Sequence, residues 1–143
     1  MIGYKYDAND ITGIQLKNSK AKTLSTAWNT LNDIYTKAGV KPKVWVLDNE
    51  ISQEFKKALT AQQTDFQLVP PKTHRSNAAE HAVDTWKNHF LSELSCVDPN
   101  FLIKEWDRLI PQATLTLNLL RVSRLQPKIS AHAFLHGNCD YNK

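Results

Sequence analysis

Cysteine, glycine and long apolar runs are all scarce in this sequence, and each scarcity removes a class of protein. The two cysteines, Cys96 and Cys139, stand far apart, and Met1–Asp7 carry neither the basic head nor the apolar stretch of a signal peptide. A disulfide framework is therefore not expected, and both residues read as free thiols. Only four glycines are present and the polar clusters are short, which leaves no flexible linker, low-complexity tract or repeat. No apolar run is long enough to cross a bilayer. A soluble, intracellular protein with no membrane partner is expected.

What is present suits one globular domain. The chain has 143 residues, 41% of them hydrophobic, enough for a single core, and 1–143 reads as one unit. The formal charge of +4 favours contact with phosphates without requiring it.

Alternation of Ile2, Tyr4 and Tyr6 with polar neighbours, and of Ile14 with Leu16, predicts a β-hairpin over 2–17 turning at Asp7–Asp10. Leu24, Ala27, Trp28, Leu31, Tyr35 and Ala38 recur at helical spacing until Gly39 and Pro42, which predicts a helix near 20–38. Val44–Leu47 is a short apolar run ending at Asp48, the pattern of a buried parallel strand. Ile51, Phe55, Ala58 and Leu59 mark a second helix, and Phe66–Val69 a third strand-type segment ended by Pro70 and Pro71. Ala79, Ala82, Val83, Trp86, Phe90 and Leu94 line a helix over about 77–95, with Asn77 as its N-cap. A further helix is expected from Asp98-Pro99, turning Leu102, Ile103, Trp106, Leu109 and Ile110 inward; Pro111 interrupts the pattern, and 113–122 fits helix or strand by periodicity alone and is read as a continuing helix. Strands alternating with helices spell a mixed α/β sheet.

Asp48, at the end of a buried strand, and Glu80, in the first turn of a helix, are the carboxylates best placed for chemistry. Hard divalent cations take oxygen ligands from a few carboxylates and a substrate phosphate. Plain structural roles fit the same residues. Asp48 suits the cap of the helix near Ile51, and Asn77-Ala78-Ala79-Glu80 suits a capping box. Spacing alone leaves both open.

Leu47-Asp48-Asn49-Glu50, then Val69 through Glu80, then Thr85-Trp86-Lys87-Asn88-His89-Phe90 resemble the catalytic core of integrases from copia-type LTR retrotransposons. Trp106 through Ala113, with Asn118 after it, resembles the helix that follows in that family, and the matched stretches run from about Tyr4 to Asn142. The resemblance implies an RNase H-like fold, a three-layer mixed sheet flanked by helices, and DNA integration by metal-dependent strand transfer. Three carboxylates would hold two Mg²⁺ or Mn²⁺ ions about 3.5–4 Å apart, clamping the attacking and leaving oxygens at phosphorus.

By motif, Asp48 stands as the second carboxylate and Glu80 as the third. Between them lie 31 residues, whereas Asp84, one turn further on, follows after 35; the local match of Asn-Ala-Ala-Glu favours Glu80. Glu50 stands where many relatives carry glycine. The first carboxylate belongs to a central strand, and this chain is expected to begin at the strand after it, with Asp7 and Asp10 at the wrong end of the sheet to substitute. Two carboxylates without the third hold Mg²⁺ weakly, so little strand transfer is expected from the chain alone.

Lys72, His74, Arg75 and Lys87, with Lys56, carry positive charge where the family holds DNA phosphates, though a solvated basic face explains any one of them equally well. Trp86 and Trp106 read as core residues. His132-x₃-His136-x₂-Cys139 contains zinc-ligand residue types, but it fits no finger spacing and Cys96 is remote in sequence, so a zinc site is not expected. The resemblance further implies DNA and other copies of the chain as partners, and a cytoplasmic particle or the nucleus as location. The rivals are a non-catalytic nucleic-acid-binding or interaction module and a relic of a decayed element.

Overall fold

The computed structural model describes residues 1–47, 51–61, 65–69 and 78–137 of the chain. Its architecture is mixed α/β. The strands are β1 (Ile2–Lys5), β2 (Asp10–Gly13), β3 (Trp45–Leu47) and β4 (Phe66–Leu68). The helices are α1 (Ala21–Lys37), α2 (Gln53–Ala61), α3 (Ala78–Ser95), α4 (Ile110–Leu120) and α5 (Ala131–His136), with a 3₁₀ segment over Ile103–Leu109. Two compact units divide the chain. The first holds Met1 and Leu16–Asn77, the second Ile2–Gln15 and Ala78–Lys143.

In the first unit, α1 and α2 pack on the parallel pair β3–β4, which runs in register Trp45↔Phe66 to Leu47↔Leu68; the pair is not buried as expected, since Val44 and Val46 are each 54% exposed and only alternate residues turn to the helices. Trp28, Phe55 and Leu59 are buried together, with Leu24, Trp45, Leu47, Ile51 and Phe66 packed around them. Trp45 meets the edges of Trp28 at 5.5 Å and lies 6.2 Å from Tyr35. The indole N–H of Trp28 is buried without a hydrogen-bond partner among the described residues. α1 stops as its glycine predicts. Gly39 has φ +74, a conformation cheap only for glycine, and it lets Gly39 N–H donate to Thr36 O and Val40 N–H to Tyr35 O, the paired bonds of a Schellman motif.

In the second unit, β1 and β2 form the expected hairpin, antiparallel from Ile2↔Gly13 to Lys5↔Asp10. The turn sits one residue earlier than the sequence suggests. Asn9 takes positive φ (59), which its short polar side chain tolerates, and Asp10 becomes the first residue of β2. Residues 121–131 fold back onto this turn. Arg124 and Leu125 N–H both donate to Asp7 O, and Asn9 Nδ2 donates to Val122 O at 2.9 Å. Arg121 Nε reaches Asn9 O at 2.8 Å.

One face of the hairpin carries Ile2, Tyr4 and Ile11 against Ala82 and Trp86 of α3 and Leu117 of α4. A Cβ on Gly13 would stand 2.7 Å from the Trp86 ring, so the glycine lets the indole lie flat on the strand. The outer edge of β2 is closed by side chains of α4. Ile11 N–H donates to Asn118 Oδ1 and Asn118 Nδ2 donates to Ile11 O, both at 2.9 Å, and Gly13 N–H donates to Thr114 Oγ1 at 3.2 Å. Because Ile11 points both backbone groups away from β1, its partner Tyr4 points both of its own away from β2. Tyr4 therefore presents an outer edge that no strand pairs with among the described residues. The two pairs remain separate two-stranded sheets.

The segment after α3 departs from expectation. Asp98 does not start a helix: its carboxylate accepts Asn100 N–H at 2.7 Å and its carbonyl accepts Phe101 N–H at 2.8 Å, which closes a turn. The chain then winds as a 3₁₀ segment with a kink at Glu105, and a period of three shifts the apolar phase away from that of an α-helix. Leu102 and Ile103, expected inside, are 57% and 68% exposed, and Trp106 is half out at 45%, with an edge contact to Phe90 at 5.9 Å. Pro111 does not interrupt. It occupies the first turn of α4, where a missing N–H costs nothing.

Candidate functional site

The described part of the site lies on α3. Ala82 and Phe90 are buried on its inner side, and Trp86 stacks on Phe90 at 4.9 Å. Glu80, Asp84 and Lys87 follow at i, i+4 and i+7, a spacing that groups them on one stripe of the helix away from that inner side. Asp84 and Lys87 are exposed, and Glu80 is half-buried. Glu80 sits in the first turn, where the positive end of the helix dipole favours a carboxylate. Lys87 stands two turns along the same side.

Asp48, Lys72, His74 and Arg75 lie outside the described residues, as do Asn49, Glu50 and the Asn77 cap. In sequence Asp48 directly follows Leu47, the last residue of β3, and 72–75 precede α3. Lys56, in α2, is half-buried. Among the described residues no three His, Cys, Asp or Glu side chains converge as a metal site. The stripe on α3 offers two carboxylates one turn apart.

Three polar clusters went unrecognised in the sequence. Asp10, taken there for a turn residue, is the buried carboxylate of the second unit, 2% exposed, and accepts Thr12 Oγ1–H at 2.7 Å. The Asn118–Ile11 pair needs a tertiary partner 107 positions away and leaves no local signal. His89, Glu93 and Thr116 join α3 to α4: His89 Nε2 lies 2.8 Å from Thr116 Oγ1 and 3.2 Å from Glu93, and Thr116 donates to the Glu93 carboxylate. Hydroxyl and carboxylate meet the same ring nitrogen, so the trio cannot relay a proton through opposite nitrogens as a nucleophilic triad does. It pins two helices together.

At the other end of the second unit, His132 and His136 lie on α5 with ring centres 4.8 Å apart. Burial, and second the neighbouring His136, push the His132 pKa below its ordinary value. Cys139 lies outside the described residues, and Cys96 is exposed. No helix among the described residues is long and apolar enough to cross a membrane. No known family model and no curated protein matches the chain.

Proposed function

We propose that this chain is a piece of a copia-type LTR-retrotransposon integrase core, a DNA-binding relative of divalent-metal-dependent strand transferases that lacks competence alone. The observation that carries this is the order of elements around the two motif carboxylates. A hairpin and a helix lead to β3, whose last residue immediately precedes Asp48, and β3 pairs in parallel with β4, after which α3 opens with Glu80 in its first turn. That order suits an RNase H-like core from which the central strand is missing. Two separate strand pairs, one with an open β1 edge, agree with it.

Asp48 and Glu80 would contribute carboxylate oxygens to Mg²⁺ or Mn²⁺, and the ions would supply charge stabilisation and a clamp on the in-line displacement at phosphorus once a third carboxylate completes the site. This chain's own side chains bind and orient. Lys87 on α3, with Lys72, His74 and Arg75 before it, would hold the DNA backbone, positioning it without reading sequence. Other copies of the chain are proposed as partners on two DNA ends, and a cytoplasmic particle or the nucleus as the location.

The test is DNA binding and Mn²⁺-dependent nicking by the chain, alone and with Lys87→Ala, Asp48→Asn and Glu80→Gln. Expected are salt-dependent affinity, a loss with Lys87→Ala that flattens the salt slope by about one, and no nicking. Nicking by the chain alone that both carboxylate variants abolish would overturn the incompetence proposed here. DNA affinity untouched by Lys87→Ala would remove that residue from the interface.

A further inference from the structure

His132 and His136 form a cluster that the DNA chemistry proposed above leaves unused. The two residues stand one helical turn apart, which puts both rings on one face of α5, with centres 4.8 Å apart and planes inclined by 39°. The backbone beneath them is held. Ala131 and Leu135 are buried, Ser130 Oγ accepts Ala133 N–H at 3.0 Å, and Ala131 N–H donates to Arg121 O at 2.7 Å. Val122 bridges to Ser130 at the start of the helix. His132 is half-buried and His136 exposed, so the rings are fixed from below and open above.

The separation has the size that chelation requires. Two imidazoles, each bound through one nitrogen about 2.1 Å from a shared ion at a near-tetrahedral angle, have ring centres about 5 Å apart. We propose that His132 and His136 form a two-imidazole surface site for a borderline divalent cation, Zn²⁺ or Cu²⁺, with water completing the coordination. Imidazole nitrogen suits these ions, whereas Mg²⁺ takes oxygen ligands. The site is thus chemically separate from the carboxylates. It is also not a structural finger, because such sites take four protein ligands and this one offers two. An ion there clamps the single exposed face of α5 and stabilises the folded chain by mass action.

The experiment is a titration of the whole chain with Zn²⁺, and separately with Mg²⁺, read by histidine ring NMR signals and by thermal melting. The expected result is a rise in Tm with Zn²⁺ alone and joint movement of the His132 and His136 ring signals. His132→Ala and His136→Ala should each weaken Zn²⁺ by at least the roughly tenfold that loss of an outer-shell partner costs. Alanine keeps the helix, and His81→Ala on α3 serves as the control that leaves affinity unchanged. The proposal is overturned by absence of Zn²⁺ binding, by movement of one ring only, or by binding that survives the double variant, which would assign the ion to the thiols.

Discussion

At Ile11 a strand's outer backbone is capped by one side chain. Asn118, itself 2% exposed, matches the donor and acceptor of Ile11 with its own amide, doing for β2 what a neighbouring strand would do. Asn118→Ala leaves a buried N–H and C=O unpaired and should cost about 2–4 kcal/mol; chemical denaturation checks it. Thr114→Val, which removes two longer bonds at a half-buried position, from Gly13 N–H at 3.2 Å and Trp86 Nε1–H at 3.5 Å, should cost less. Gly13 is constrained differently. Gly13→Ala puts a methyl within the contact distance of the Trp86 ring, and rigid neighbours on both sides make the cost about 1–3 kcal/mol, with a shift in Trp86 fluorescence. If alanine is tolerated without change in either reading, the ring does not lie where the structure has it.

For whole elements, legibility followed locality. The hairpin, α1, α2, α3 and the positions of the parallel strand segments could be read from period, caps and stops, as where Gly39 ends α1 through its own backbone chemistry. The 3₁₀ segment could not, since Leu102, Ile103 and Trp106 fit an α-helical stripe and only the turn at Asp98 shifts their phase. α5 carried its signals, Ser130 ahead and Gly137 (φ +80) behind, but six residues are too few for periodicity to register. Of the candidate site, Glu80 and Lys87 were legible as one helix stripe because i, i+7 spacing is local, while the burial of Asp10 depends on contacts that no short window contains. The open edge of β1 follows from pairing alone. Because Tyr4 turns its N–H away from β2, its amide should exchange with deuterium much faster than those of Gly3, Lys5 and Ile11, as residue-resolved NMR exchange can measure. Equal protection at Tyr4 would mean that its edge is paired after all.

Across the molecule, each of the two strand pairs is short, and an isolated two-stranded sheet is marginal without helices on it. α1 and α2 cover one pair and α3 and α4 the other, which accounts for two compact units rather than one continuous sheet. Under the integrase proposal, a further strand ending in an aspartate would supply both the pairing and the third carboxylate. The most direct test compares this chain with one extended upstream by about 30 residues that provide such a strand, melting each across a Mg²⁺ or Mn²⁺ titration. The account predicts that only the extended chain gains Tm with metal, and that Asp48→Asn or Glu80→Gln abolishes the gain. A metal-dependent gain in the short chain, or one in the extended chain that survives both substitutions, would contradict it.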